Sequence, residues 1–161
     1  MPPDRPLEAT EQVAWRTFVE TVDDLTRALQ DDLQPHEITL GDYQVFVFLS
    51  EAEGRRMRMV DLAAALHLSP SGLTRRLDGL VKAGYVARQP SEQDRRVTLA
   101  VLTDAGRATL EAAAPVHVAG VRAHFVDHLS RTQLRQLGTA FEALRRRRGL
   151  ESPSSETVES P

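Results

Sequence analysis

The stretch from Leu68 to Leu102 constrains this chain more than any other. Ser69 followed by Pro70 is a strong helix start. The serine oxygen can accept an open first-turn N–H, and proline supplies a preset φ where no donor is needed. Leu73, Leu77, Leu80 and Val81 then fall at i, i+4, i+7 and i+8, which predicts one buried face. Gly84 is placed to stop the helix in the left-handed region. Tyr85 to Gln89 reads as a strand, Pro90 to Asp94 as a polar turn, and Arg95 to Leu102 as a second strand in which Val97, Leu99 and Val101 face one way. Upstream lie a basic connector, RRMRM, and a short helix, VDLAAALHL, over 60–68. Two helices joined by a short turn and followed by a two-stranded hairpin make a winged helix-turn-helix.

That architecture makes a specific demand on its second helix, here about 69–83. One face must be buried, and the other must carry small and basic residues able to enter a major groove about 12 Å wide. The leucines supply the first face. Ser69, Ser71, Gly72, Thr74, Arg75 and Arg76 crowd the first turns of the second, the part that reaches base edges in this motif. Small residues let the backbone approach DNA, and an arginine can bond guanine through two hydrogen bonds. An ordinary amphipathic helix with a solvated basic face would show some of the same pattern. The hairpin, about 85–102, is what makes the nucleic-acid reading the stronger one.

The flanks are helical. Trp15, Phe18, Val22, Leu25 and Leu29 recur at spacings of 3, 4, 3 and 4, an apolar stripe on a helix over about 8–33 that Pro35 ends. A second helix starts at Thr39, with Asp42 three residues on as a capping-box partner. Its run VFVFL also has strand propensity, but the cap and Gly54 bracket a span of helical length. After Thr103 the helical pattern returns to about Leu129, with Pro115 expected to kink or split it. A last helix over 130–148 carries Leu134, Leu137, Phe141 and Leu144 at 3, 4 and 3. The fold class is therefore mainly α with a small β-wing. The layout is an N-terminal arm (1–7), a dimerisation helix (8–34), the winged module (35–102), C-terminal dimerisation helices (103–148) and a disordered tail (149–161). The spacing alone does not separate helices packing within a chain from helices packing between chains.

Charge sharpens the picture. The net charge of the chain is only −3, but residues 1–53 hold twelve acids against three arginines, and residues 54–96 hold nine basic residues against four acids. A basic middle of this kind is suited to phosphate. The absence of cysteine excludes disulfide scaffolds, zinc ribbons and thiol chemistry. No apolar run approaches the roughly 20 residues of a membrane span, and the N-terminus lacks a signal-peptide pattern, so a cytoplasmic protein with no membrane partner is expected. No Ser-His-Asp set, carboxylate pair or phosphate loop is present to suggest an enzyme.

At DRRVTLAVLT, positions 94–103, the chain resembles the MarR family of bacterial transcription regulators. Asp94, Arg96, Leu102 and Thr103 fit the family's wing signature, and LSPSGLTRRLDGLVKAGYVAR (68–88) looks like its recognition helix running into the wing. Val60 departs from the polar cap that many members carry. The resemblance implies a homodimer that binds palindromic double-stranded DNA as a repressor. It places Arg96 at a wing tip in the minor groove, with Asp94 orienting its guanidinium. Arg95 takes a phosphate contact, or the tip itself if the hairpin register differs by one residue. Phe18, Val22, Leu134, Leu137, Phe141 and Leu144 would pack the two-fold interface. No cofactor is implied, but relatives take small phenolic or lipophilic effectors between arm and reading head, which makes Trp15, Tyr43 and Phe46 candidate pocket residues; plain core packing explains them as well.

Two other readings remain. A winged-helix module that docks protein rather than DNA would not need both Arg75/Arg76 and Arg96. A metal-responsive regulator would draw on His124 and His128, which i, i+4 spacing would place on one helix face, with His117 nearby in sequence. Without cysteine or a carboxylate cluster beside them, solvated histidines are the default, and no metal site is assigned.

Overall fold

The computed structural model describes residues 5–147, so the tail expected to be disordered, at 149–161, lies outside the described residues. The chain divides into two compact units, one ending at Val121 and one beginning at Arg122. The first contains α1 (Ala9–Leu33), α2 (Leu40–Glu51), β1 (Arg56–Arg58), α3 (Met59–Ala65), α4 (Pro70–Lys82), β2 (Val86–Pro90), β3 (Thr98–Leu102) and most of α5 (Asp104–His124). The second contains the end of α5, a 3-10 turn (Val126–His128) and α6 (Arg131–Arg147).

Local signals set the helix boundaries. The Thr39 hydroxyl accepts the Asp42 N–H at 3.0 Å, and the Asp42 carboxylate accepts the Thr39 N–H at 3.0 Å, a reciprocal box that opens α2. A further open amide of this helix, at Leu40, donates to the Gln30 side chain at 2.8 Å. Pro35 ends α1 through a 3-10 turn, Gln34–His36, after which Glu37 takes the left-handed conformation at φ 55°. VFVFL is helical. Val45, Phe46 and Leu49 are fully buried, while Val47 and Phe48 are half-buried on the remaining side, so apolar residues are in place on every side of the run.

One core serves the first unit. Leu33, Phe46, Leu49, Leu62, Leu73, Leu77, Val86 and Leu102 meet there, all essentially without solvent contact. Each such side chain contributes about 1.5–3 kcal/mol of burial. Phe46 meets Tyr85 edge-on at 5.7 Å between ring centroids.

The sheet differs from the expected hairpin. It has three antiparallel strands in the order β1-β3-β2, with Met57 opposite Ala100 and Arg88 also opposite Ala100 across the other edge. The third strand comes from the connector RRMRM, which becomes β1. β3 starts at Thr98 rather than Arg95, because 91–97 is taken up by a turn closed by Ser91 N–H to Val97 O at 2.8 Å. Leu99 and Val101 do share a face, with Val97 leading into it, but all three are half-buried. The fully covered face is the other one, through Ala100 and Leu102.

Two further expectations are corrected. Val81 is 36% exposed, so the inner face of α4 is Leu73, Leu77 and Leu80 alone. Of the two outcomes expected at Pro115, a kink or a split, the split does not occur, since α5 runs through it to His124. Glu111 and Pro115 both face solvent, so the carbonyl that loses its donor can be hydrated.

The wing is tied to α5 at its root. The Thr103 hydroxyl donates to the Gly84 and Tyr85 carbonyls, at 2.7 and 3.0 Å, and accepts the Gly106 N–H at 3.0 Å. Gly84, at φ 78°, turns the chain out of α4 just before this point. At Gly106 a Cβ would stand 2.2 Å from the Tyr85 carbonyl oxygen. Gly106→Ala should therefore push α5 off the wing root and cost about 1–3 kcal/mol, the usual scale of overpacking; urea unfolding against the wild-type chain measures it. Asp104, at the start of α5, is held below the usual carboxylate range by its hydrogen bond and ion pair with Arg55 at 2.9 Å. Arg55→Gln should raise the Asp104 pKa toward its ordinary value, read by NMR titration of the carboxylate.

Candidate nucleic-acid interface

Burial of Leu73, Leu77 and Leu80 leaves Ser71, Thr74, Arg75 and Asp78 on the outer side of α4. The sequence candidates on this helix do not all share that side. The Ser69 hydroxyl is engaged as the N-cap, accepting the Gly72 N–H at 3.1 Å, and stands 3.2 Å from the Ser71 hydroxyl. Thr74 bonds back to the Pro70 carbonyl at 2.9 Å, which leaves its methyl group as the outward contact. Arg75 is exposed. Arg76 is half-buried and turns the other way: a Cβ on Gly41 would overlap its guanidinium, so the arginine lies flat on the first turn of α2.

The wing loop is shaped by Asp94. Its carboxylate accepts the backbone N–H of Arg96 at 2.9 Å, and its carbonyl accepts the Val97 N–H at 2.9 Å. This corrects the expected role. Asp94 orders the backbone that carries Arg96 instead of orienting the guanidinium. Arg95 and Arg96 are both exposed. Arg96 lines a cleft of about 530 Å³ together with Thr74, Arg88, Val60 and Arg58. One wall is therefore α4, the other is the wing, and the rim is cationic.

Arg88 was missed by sequence reasoning, which saw only a strand position. It sits on β2 and donates to the Asp78 carboxylate at 2.8 Å and to the Thr74 carbonyl at 3.0 Å. An arginine in alternation with buried Val86 was the available signal.

The aromatic candidates separate. Tyr43 lines an apolar cavity of about 290 Å³ with Leu29, Leu40, Val47, Phe48 and His117. Phe46 is wholly inside the core, and Trp15 is 59% exposed beside Phe18, 6.0 Å between ring centroids. Neither lines the cavity. The Tyr43 and His117 rings are 4.4 Å apart. Desolvation lowers the His117 pKa, and the negative charge of Asp32 partly opposes this; burial likewise raises Tyr43. The Nδ1 of His117 is buried without a hydrogen-bond partner. His124 ends α5 while His128 sits in the following 3-10 turn, so the two are not on one helix face. Among the described residues no group of three His, Cys, Asp or Glu could hold a metal ion, and no helix is long and apolar enough to cross a membrane.

The expected interface residues carry partial exposure. On α1, Phe18 and Val22 are 43% and 42% exposed, and Val13 and Trp15, which were not among them, are 65% and 59% exposed. On α6, Leu134 and Leu137 are half-buried, while Phe141 and Leu144 are 39% and 58% exposed.

Comparison with known proteins decides the family. The MarR family profile matches residues 36–97, the span from the end of α1 to the wing loop. The crystal structure of AbsC, a MarR family transcriptional regulator from Streptomyces coelicolor, is 45% identical. It covers 90% of this chain and 99% of its own, with a TM-score of 0.86. This chain belongs to the MarR family. A second regulator of that family from Streptomyces coelicolor, Sco3205, is 32% identical over 97% of both chains with a TM-score of 0.87, and its structure is a complex with DNA. The transcriptional repressor YetL of Bacillus subtilis is 29% identical over 107 residues, 65% of this chain and 64% of its own, so that alignment falls short of two thirds of the repressor's length. MarR family members are transcription regulators, not enzymes, and the helices with a three-stranded wing sheet are those of their winged helix.

The lowered His117 pKa has a definite sign for stability. The unfolded chain takes up the proton at the ordinary value near 6.5, before the folded chain does, so stability falls as pH drops below that value. Asp32→Asn should lower the His117 pKa further, because it removes the charge that holds it up. NMR titration of the imidazole and urea midpoints at two pH values check both statements.

Proposed function

We propose that this chain is a repressor that binds duplex DNA in the cytoplasm, works as a homodimer on a palindromic operator, and is released by a small apolar effector. The observation that carries the reading is the shared cleft. Thr74 of α4, Arg88 of β2 and Arg96 of the wing loop line one cleft, with Arg58 adding to its cationic rim, and Ser71 and Arg75 lie exposed on the same helix outside it. Major-groove entry by α4 would put Arg75 at a base edge. Arg96 would then reach the neighbouring minor groove, where a narrow groove concentrates negative potential. The DNA complex of Sco3205 supports the assignment by likeness.

A single reading head offers too few contacts for the usual specific affinity of about 10⁻⁸ M or tighter. Pairing two chains doubles them, and the apolar residues left exposed on α1 and α6 are suited to that pairing. A closed two-fold dimer makes the two α4 helices symmetric, so the half-sites should be inverted repeats about 10 bp apart. The Tyr43–His117 cavity fits the effector. It is apolar, with a phenol and an imidazole to orient one polar group, and its volume suits a small phenolic or lipophilic compound.

Binding of a labelled fragment of the gene's own upstream region, compared with scrambled duplex over a salt series, tests the reading; equal affinity for both would reject it. Arg75→Ala should cost about 1–3 kcal/mol on the operator and relax preference at one base position. Val22→Glu and Leu144→Glu, both at exposed positions, should leave the helical content intact, split the dimer in sedimentation and abolish tight operator binding.

A further inference from the structure

Arg88 occupies a position where an ordinary sheet residue would be apolar. On β2 it shares a face with Val86, which is 2% exposed and part of the core. Its own side chain is 31% exposed and reaches across to α4. There the guanidinium makes two bonds to groups one helical turn apart, the Thr74 carbonyl at 3.0 Å and the Asp78 carboxylate at 2.8 Å. A planar fork can satisfy two such acceptors together, whereas an ammonium on a flexible stem offers a single point charge.

The location matters as much as the geometry. Arg88, Thr74 and Arg96 line the same cleft, so the two bonds lie between the helix that would read bases and the loop that would enter the minor groove. Other ties hold the wing at its root, through Thr103 and the buried Val86 and Leu102, and along the strand ladders to β3. Those fix where the wing starts. The Arg88 bonds join β2, the wing's first strand, to the middle of α4. They also neutralise Asp78, an acid on the outer side of a helix that is to approach phosphate.

We propose that Arg88 is a positioning residue for operator recognition: by bonding Asp78 and the Thr74 carbonyl it fixes the wing against α4, so that Arg75 and Arg96 engage their two grooves in register. This rests on the DNA-binding reading above. It differs from a direct phosphate contact, because Arg88 then acts through α4 and confers specificity rather than general affinity.

The test uses the full chain, operator fragment, scrambled duplex of equal length, and a salt series. Arg88→Lys keeps the charge and loses the fork. It should weaken operator binding roughly tenfold, the scale of coupling between neighbouring contacts, with little change on scrambled duplex and an unaltered salt slope. Asp78→Ala removes a negative charge from the DNA-facing side and is exposed, so it should fold. Positioning predicts that it too loses operator affinity; a phosphate contact by Arg88 predicts that it gains. Without DNA, trypsin should cut after Arg95 and Arg96 faster in both variants than in the wild type. Equal loss on both duplexes with a reduced salt slope, tighter binding by Asp78→Ala, or unchanged operator binding and unchanged cleavage would each overturn the proposal. If the wild-type chain itself fails to distinguish operator from scrambled duplex, the DNA reading falls instead, and the trypsin comparison still decides whether Arg88 holds the wing.

Discussion

Burial of three leucines on α4 fixes the rotation of that helix, and most of what the first unit presents to solvent follows from it. Leu73, Leu77 and Leu80 are 1%, 0% and 4% exposed. With successive helical residues about 100° apart, anchoring these three leaves no freedom in where the others point. Ser71, Thr74, Arg75 and Asp78 go outward. Arg76 goes sideways onto Gly41 and the first turn of α2. A rotation of one residue would bury charge and expose leucine, at several kcal/mol for each misplaced group.

The wing strands are anchored in the core by Val86, Ala100 and Leu102, and polar contacts shape what projects beyond it. The root of the wing is held by the Thr103 hydroxyl, which serves two carbonyls and one amide, and by the absence of a side chain at Gly106. Its loop is ordered by Asp94 acting on backbone. Its first strand, β2, is tied to α4 by Arg88. Each of these groups is short or planar and makes more than one bond or a bond of fixed geometry, so the exposed part of the hairpin gains a defined shape without a core of its own. That suits the wing loop, whose residues 92–96 are all exposed, beyond the reach of the apolar anchor at the strands.

α1 shows the opposite economy. Its C-terminal end is buried through Leu29 and Leu33, while its N-terminal half leaves Val13, Trp15 and Val22 largely in solvent. The buried apolar residues of the first unit gather instead in one core around α2 and α4. An amphipathic helix whose apolar stripe is covered at one end only is the expected form of an element completed by association.

What the sequence determined by itself was everything encoded within a few residues. The Thr39–Asp42 box, the Ser69–Pro70 start, the left-handed Gly84 and the 3-4 leucine spacing give the helices and the winged architecture, because caps and periodicity depend on local geometry alone. The wing signature at 94–103 gave the family for a related reason: it is contiguous. Contacts between residues far apart in sequence were decided only by the tertiary structure. RRMRM does alternate Arg with Met over 56–59, but so short a run does not announce a strand by itself, and it becomes one because β3 offers an open edge. Phe46 and Tyr43 look alike in the sequence, three residues apart on one helix, and both are buried, yet Phe46 is sealed in the core while Tyr43 also faces a cavity beside His117. Asp94 and Arg96 look like an ion pair, but the carboxylate finds a backbone amide closer than a guanidinium. Arg88 reads as one more polar strand residue until α4 brings the Thr74 carbonyl and Asp78 to it. Local propensity fixes which elements form; which side chain finds which partner is set by where the packed core places those elements.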